Sequence, residues 1–235
     1  MTRVLTCLLL LLPAVLAAPA LAQKGARKVD LFWTSPEFAA HEPRTIAMLP
    51  AATYDNNVEA RKQAEAAIAR ALRETGYRWT STLVSRDRMF KAGGDSMLRA
   101  FNDKLLKSPR LDSLEAPGYA RLVFANALLT IRVDRYERLE MEFNQAGKPS
   151  TTVALTAALV DSSGRLLWSA SGSETAEGPY HDPNTNPVGI NASGLNNRPI
   201  TTQGGAPSFP ETLSTLLARW APHFPAKAAA ATPAN

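Results

Sequence analysis

A short apolar run from Thr45 to Leu49, closed by Pro50, is followed by a helical stretch and then by a second β-prone run, Tyr77 to Ser81. That succession limits the fold more than any other feature, because two strands joined by a helix-length crossover pair in parallel. Between the two runs, Ala64, Ile68, Ala71 and Leu72 recur at helical spacing within Val58 to Thr75, while Arg61, Lys62, Glu65, Arg73 and Glu74 lie mostly elsewhere on the wheel. Asn56 or Asn57 is placed to cap the start of this helix, and Gly76 stands where a left-handed C-cap belongs. The first half is therefore expected to be a β-α-β unit.

The second half carries a different period. Ser85 to Lys91 and Ser96 to Lys107 read as helical pieces interrupted by Gly93-Gly94, and Tyr119 to Ala125 reads as a third. From Ala127 to Phe143 the apolar residues Leu129, Ile131 and Val133 alternate with Thr130, Arg132 and Asp134, which is the period of a strand with one buried face. Arg135, Glu137 and Arg138 interrupt the alternation, so the strand either leaves the core or bulges there. Gln145 to Pro149 is a turn, Thr151 to Val160 a strand, Asp161 to Gly164 a tight turn, and Arg165 to Ser173 the returning strand with Trp168 in it. The fold class that follows is α/β: a β-α-β unit, then helices and an antiparallel meander, forming one mixed sheet with helices packed on it.

The ends of the chain set its address. Arg3 precedes an apolar stretch from Leu5 to Leu16, and Ala20 and Ala22 put small residues where a signal peptidase cuts, so cleavage is expected before Gln23. Cys7, the chain's single cysteine, lies within the apolar stretch rather than after it, where a lipidated cysteine would stand, and leaves with the leader. The reading is an exported, unlipidated periplasmic protein without disulfides and without a membrane-spanning segment after the leader. Residues 1–22 are then the leader, 23–43 a lead-in with an extended segment at Val29 to Trp33, 44–222 one domain, and 223–235 a flexible tail. Near the end, Ser208 with Glu211 forms a capping-box pattern before a helix lined by Leu213, Leu216, Leu217 and Trp220. Trp79, Trp168 and Trp220 each fall on an apolar face and are assigned to the core.

Chemistry is harder to find. The three histidines, His41, His181 and His223, lack a second ligand at metal-site spacing, so no metal and no cofactor is expected. No Gly-x-Ser-x-Gly elbow is present, and Gly93-Gly94 lacks the lysine or further glycines of a phosphate cradle, so it is read as a helix break. Asn191-Ala192-Ser193 fits the N-glycosylation acceptor pattern, which has meaning only in a eukaryotic source. Tyr180-His181-Asp182-Pro183 is the most chemistry-like stretch, since a histidine beside a carboxylate can serve as a base, although Asp-Pro in a loop is sufficiently explained as a turn. The net charge of +5 comes from scattered basic residues, which gives no support to nucleic-acid binding.

Four stretches carry a resemblance: Ile46-Ala47-Met48-Leu49-Pro50, Arg73-Glu74-Thr75-Gly76-Tyr77, Ala125-Asn126-Ala127-Leu128-Leu129, and Leu159 to Trp168 with its Asp161, Gly164 and Trp168. Together they resemble the bacterial envelope proteins grouped around the curli secretion channel CsgG, the penicillin-binding-protein activator LpoB and the amino-terminal domain of TolB, with related lipoproteins. The resemblance implies the same β-α-β unit, helices and meander. The chain departs from those proteins in having no acylated cysteine after the leader and no apolar pore hairpin, because Arg135, Glu137 and Arg138 fall where a lipid-facing band needs apolar residues.

The functional expectation is a soluble, non-enzymatic periplasmic binding or assembly accessory with an envelope protein as partner. Its contact surface is assigned to the long Gly/Pro/Asn-rich loop, residues 174–207, with Tyr180, His181, Ile190 and Leu195 as binding-loop residues. The alternatives are a periplasmic hydrolase using His181 and Asp182, and, more weakly, binding of an anionic polysaccharide by the basic surface.

Overall fold

The computed structural model describes residues 30–142, 145–181 and 205–227. The leader, with Cys7, Ala20, Ala22 and Gln23, therefore lies outside the described residues, as do Phe143, Asp182, Asn191, Ser193, Ile190, Leu195 and the chain beyond Lys227.

Seven strands make one mixed sheet. They are β1 (Leu31–Thr34), β2 (Thr45–Met48), β3 (Ala52–Thr53), β4 (Arg78–Thr80), β5 (Ala127–Leu139), β6 (Ser150–Asp161) and β7 (Leu166–Glu177). The helices are α1 (Val58–Ala71), α2 (Thr82–Lys107), α3 (Ala116–Val123) and α4 (Phe209–Trp220). The strand order is β1-β7-β6-β5-β2-β4, with β3 also paired to β5. β2 runs parallel to β4, with Ile46 opposite Trp79, and parallel to β5, with Ala47 opposite Leu128. The β5-β6-β7 meander is antiparallel, and β1 adds to it antiparallel to β7, with Phe32 opposite Ala170.

The β-α-β unit forms as the residue pattern requires. The Asn57 side chain accepts from the Ala60 N–H at 2.9 Å, which caps α1, and after a short 3-10 turn Gly76 adopts a left-handed conformation (φ 82°). α2 is capped by Ser81 and starts at Thr82, three residues earlier than the apolar spacing indicates. It is broken at Gly94, whose φ of 62° and ψ of −157° lie in a region that only glycine enters without strain. The paired glycines thus separate two helical pieces and re-aim the second.

β2 is buried on both faces, so successive residues serve two cores. Ile46 and Met48 join Leu129, Leu155, Leu159 and Trp168 beneath α1 and α4. Ala47 and Leu49 join Leu128 and Val160 beneath α2 and α3, where Met89, Phe101 and Leu105 are buried. Only the first of these cores extends along the meander. In β5 the register shifts between Val133 and Arg135, and beyond this bulge the residues from Glu137 onward are exposed, so the strand both bulges and leaves the core. Asp134, the bulged residue, accepts hydrogen bonds from Arg132 Nε and Thr156 Oγ1, each at 2.5 Å.

Several more boundaries differ from the sequence reading: α3 spans Ala116–Val123 rather than Tyr119 to Ala125, and β5 ends at Leu139. The extended segment near Trp33 is a true edge strand, β1. β7 continues past Ser173 to Glu177, because its partner β6 begins at Ser150; polar pairs such as Thr152–Thr175, with hydroxyls 2.9 Å apart, hold this extension and leave no apolar alternation to read. The carboxyl-terminal boundary lies beyond Pro222: His223 stacks on Phe32 at 4.0 Å, Phe224 is buried, and the Lys227 N–H donates to the Thr75 carbonyl at 2.9 Å.

Of the three tryptophans assigned to the core, Trp168 and Trp220 are buried, while Trp79 is half-buried against Phe224. Trp168 is 1% exposed, its Nε1–H donates to the His223 carbonyl at 2.8 Å, and its ring meets Phe224 edge-on at 4.9 Å. Trp168→Ala removes a buried aromatic and strands a carbonyl, so a loss of about 3–5 kcal/mol is expected. Denaturant unfolding of the two proteins measures it, and coincident midpoints would contradict the packing described.

Candidate functional site

The segment singled out for chemistry begins at the far end of the meander. Gly178 N–H donates to the Pro149 carbonyl at 2.7 Å, and three residues on, His181 pairs with Gly147 through both backbone groups, at 2.6 and 3.0 Å. This pairing fixes the two neighbours in opposite environments. Tyr180 is 63% exposed, whereas His181 is 8% exposed. Position 181 is thus a buried site beside the backbone bridge to Gly147, not an ordinary surface position. Of the proposed acid-base pair and binding loop, the described residues include Tyr180 and His181, while Asp182, Ile190 and Leu195 lie outside them. The chain re-enters at Gly205. There the Ala206 N–H donates to Glu140 Oε2 at 3.0 Å, Arg138 Nη2 donates to the Ala206 carbonyl at 2.9 Å, and Thr151 Oγ1 donates to the Pro207 carbonyl at 2.5 Å. Both ends of the loop are thus tied to the same end of the meander.

A second feature was not visible in the sequence. At the carboxyl ends of β2 and β4, the connection after β2, the start of α1 and the two pieces of α2 enclose a cleft of about 280 Å³. Arg61, Arg86 and Arg99 line it, together with Asn56, Asp95, Leu98, Phe101 and Asn102. Asn102 braces one wall: its Oδ1 accepts from the Thr53 N–H at 3.0 Å and its Nδ2 donates to the Thr53 carbonyl at 3.4 Å. Behind the cleft Glu65 Oε1 accepts from the Ala51 N–H at 2.9 Å. Burial lowers the Arg61 guanidinium from its ordinary value, and the neighbouring charge of Arg86 lowers it further. Burial also pushes the Glu65 carboxyl up, against the pull of the Ala51 N–H, Arg61 and Arg86. The three arginines lie on two helices in separate stretches of sequence, and no spacing rule joins them; only the β-α-β crossover and the Gly94 break bring them together.

Among the described residues no group of three or more His, Cys, Asp or Glu side chains is arranged to hold a metal, and no helix is long and apolar enough to cross a membrane.

No family model and no curated protein matches the chain. Solved structures do. A lipoprotein of Neisseria meningitidis, GNA1162, is 26% identical with a TM-score of 0.44, over 57% of this chain and 84% of that one. A PelC dodecamer from Paraburkholderia phytofirmans is 17% identical with a TM-score of 0.43, over 86% of this chain and all of that one. The hypothetical protein CT253 from Chlamydia trachomatis is 14% identical with a TM-score of 0.32, over 57% of this chain and 72% of that one.

Glu65 gives a test of the cleft's electrostatics. With its carboxyl titrating above the unfolded value, the fold favours the protonated form; that contribution is complete below the unfolded value and is lost as pH rises through the folded one. Glu65→Gln keeps an oxygen for the Ala51 N–H and removes the desolvated charge. Its stability relative to wild type is expected to be near parity at about pH 3.5 and to improve toward pH 7. Thermal melts at both pH values check this, and an advantage that shrinks with rising pH would contradict it.

Proposed function

We propose that this chain is an exported, non-enzymatic binding or assembly accessory of the bacterial cell envelope, acting unlipidated in the periplasm and docking an envelope protein through the loop that leaves the meander at Tyr180. The leader pattern at Arg3 to Ala22 supports the location, and the resemblance to the CsgG, LpoB and TolB group supports the setting. The observation that carries the binding reading is the division between Tyr180 and His181. The tyrosine, a residue type favoured as an interface anchor, is presented to solvent on a backbone pinned to Gly147, while the only histidine of the loop is turned inward.

The experiment is crosslinking in the native envelope followed by partner identification. Replacement of residues 183–203 by a short Gly/Ser linker is expected to abolish capture, and Tyr180→Ala to reduce it, with stability unchanged within about 0.5 kcal/mol because the side chain is exposed. Capture that survives both changes would overturn the reading. A folded His181→Ala protein that still captures its partners yet has lost cellular function would favour hydrolysis through His181 and Asp182 instead, since loss of a general base costs about 10²–10⁴-fold in rate. Intact-mass measurement of the exported protein is expected to give an unmodified chain beginning at Gln23; an acylated terminus would refute the unlipidated form.

A further inference from the structure

We propose that the arginine-lined cleft at the carboxyl ends of the parallel strands binds the phosphoryl group of a small soluble phosphomonoester. The position is the one where open α/β sheets take their ligands, outside the carboxyl edge of the parallel strands and beside the starts of the helices that follow them. The cleft is independent of the Tyr180 loop and stands or falls separately from it.

Several arginines elsewhere in the molecule pair with acids, and others, Arg70, Arg73, Arg78 and Arg110 among them, are exposed to solvent, whereas the cleft brings three to one space. Arg132 pairs with Asp134, Arg138 with Glu140, Arg165 with Glu37, and Arg219 with Asp30 and Glu174. In the cleft, the guanidinium groups of Arg61 and Arg86 make neither a hydrogen bond nor an ion pair with the described residues, and that of Arg99 reaches only the Asp95 carbonyl, at 3.4 Å from its Nε. Arg61 is half-buried and Arg86 exposed; both lie within electrostatic reach of each other and of Glu65, yet neither guanidinium is in contact with a carboxylate. Three guanidinium groups outnumber the two nearby carboxylates, Asp95 on the lining and Glu65 behind it. A single carboxylate engages one guanidinium fork; a tetrahedral phosphoryl dianion offers oxygens to several forks at once, which suits a cleft lined by three arginines. The volume of about 280 Å³ suits a ligand of a few carbon atoms beside that group, with Leu98 and Phe101 as apolar lining and Asn56 as a further polar partner.

Calorimetric titration of the full chain tests this with three probes: glycerol 3-phosphate, inorganic phosphate and citrate. Saturable one-to-one binding of glycerol 3-phosphate is expected, tighter than that of inorganic phosphate, with citrate at least tenfold weaker. Arg61→Gln is expected to weaken glycerol 3-phosphate binding tenfold or more. Arg99→Gln, at an exposed position that does not threaten folding, should weaken it several-fold, and Arg61→Lys, which keeps the charge but loses the fork, should lie between wild type and Arg61→Gln. Arg70→Gln, on the groove between α1 and α4, should leave it unchanged. Absence of binding at millimolar glycerol 3-phosphate would overturn the proposal. So would citrate binding as tightly as the phosphate ester, inorganic phosphate binding more tightly than the ester, or Arg70→Gln weakening binding as much as Arg61→Gln.

Discussion

β2 is a strand that two cores need at once, and the rest of the architecture follows from that. Ile46 and Met48 are committed to one side and Ala47 and Leu49 to the other, each nearly inaccessible to solvent. A shift of one residue in register would exchange the two sets, placing small Ala47 where Ile46 or Met48 fills space. Helices must then cover both faces, and in a β-α-β chain their starts gather at the carboxyl end of the strands. The arginine cleft is a by-product of that geometry. Burying both faces of β2 is what sets the start of α1 and the two pieces of α2 around one space.

The meander half obeys a simpler rule. One face of β5, β6 and β7 packs under α4, with Trp168 and Trp220 in the same cluster, and the other face carries Arg132, Thr156 and Ser171, all half-buried. Arg219 on α4 holds this half to the edge strand: Nε and Nη2 donate to the Asp30 carboxylate at 2.6 and 3.2 Å, Nη2 also to the Ser173 carbonyl at 3.0 Å, and Nη1 to Glu174. The hydrogen bonds to two acids hold the guanidinium well above its ordinary value. Gly172 makes the approach feasible, because a Cβ there would fall 2.0 Å from Asp30 Oδ1. A side chain at position 172 would thus act at a distance, by displacing the acid that secures β1.

Local patterns made most of the fold readable from sequence. The cap at Asn57, the stop at Gly76, the break at Gly94 and the capping pair Ser208 and Glu211 are each a short-range signal with one physical meaning, and each stands in the structure. What escaped was set by long-range pairing. The last turns of β7 are held by hydroxyls and backbone rather than by an apolar face, so the alternation that marks a strand is missing there. His181 is drawn inward by a bridge to Gly147, a contact that neither residue advertises. The cleft was missed for the same reason. Arg61, Arg86 and Arg99 look like solvated helix charges one at a time, and only the crossover turns them into neighbours.

The clasp between Asp30 and Arg219 joins residues 189 positions apart in sequence. Its consequence is temporal. A chain emerging amino terminus first can nucleate the β-α-β unit early, but β1 lacks its lock, and the larger core lacks Leu213, Leu216 and Trp220, until α4 has been made. The nascent protein is thereby kept incompletely closed through most of its synthesis, with the final helix acting as the event that commits it to a finished tertiary structure.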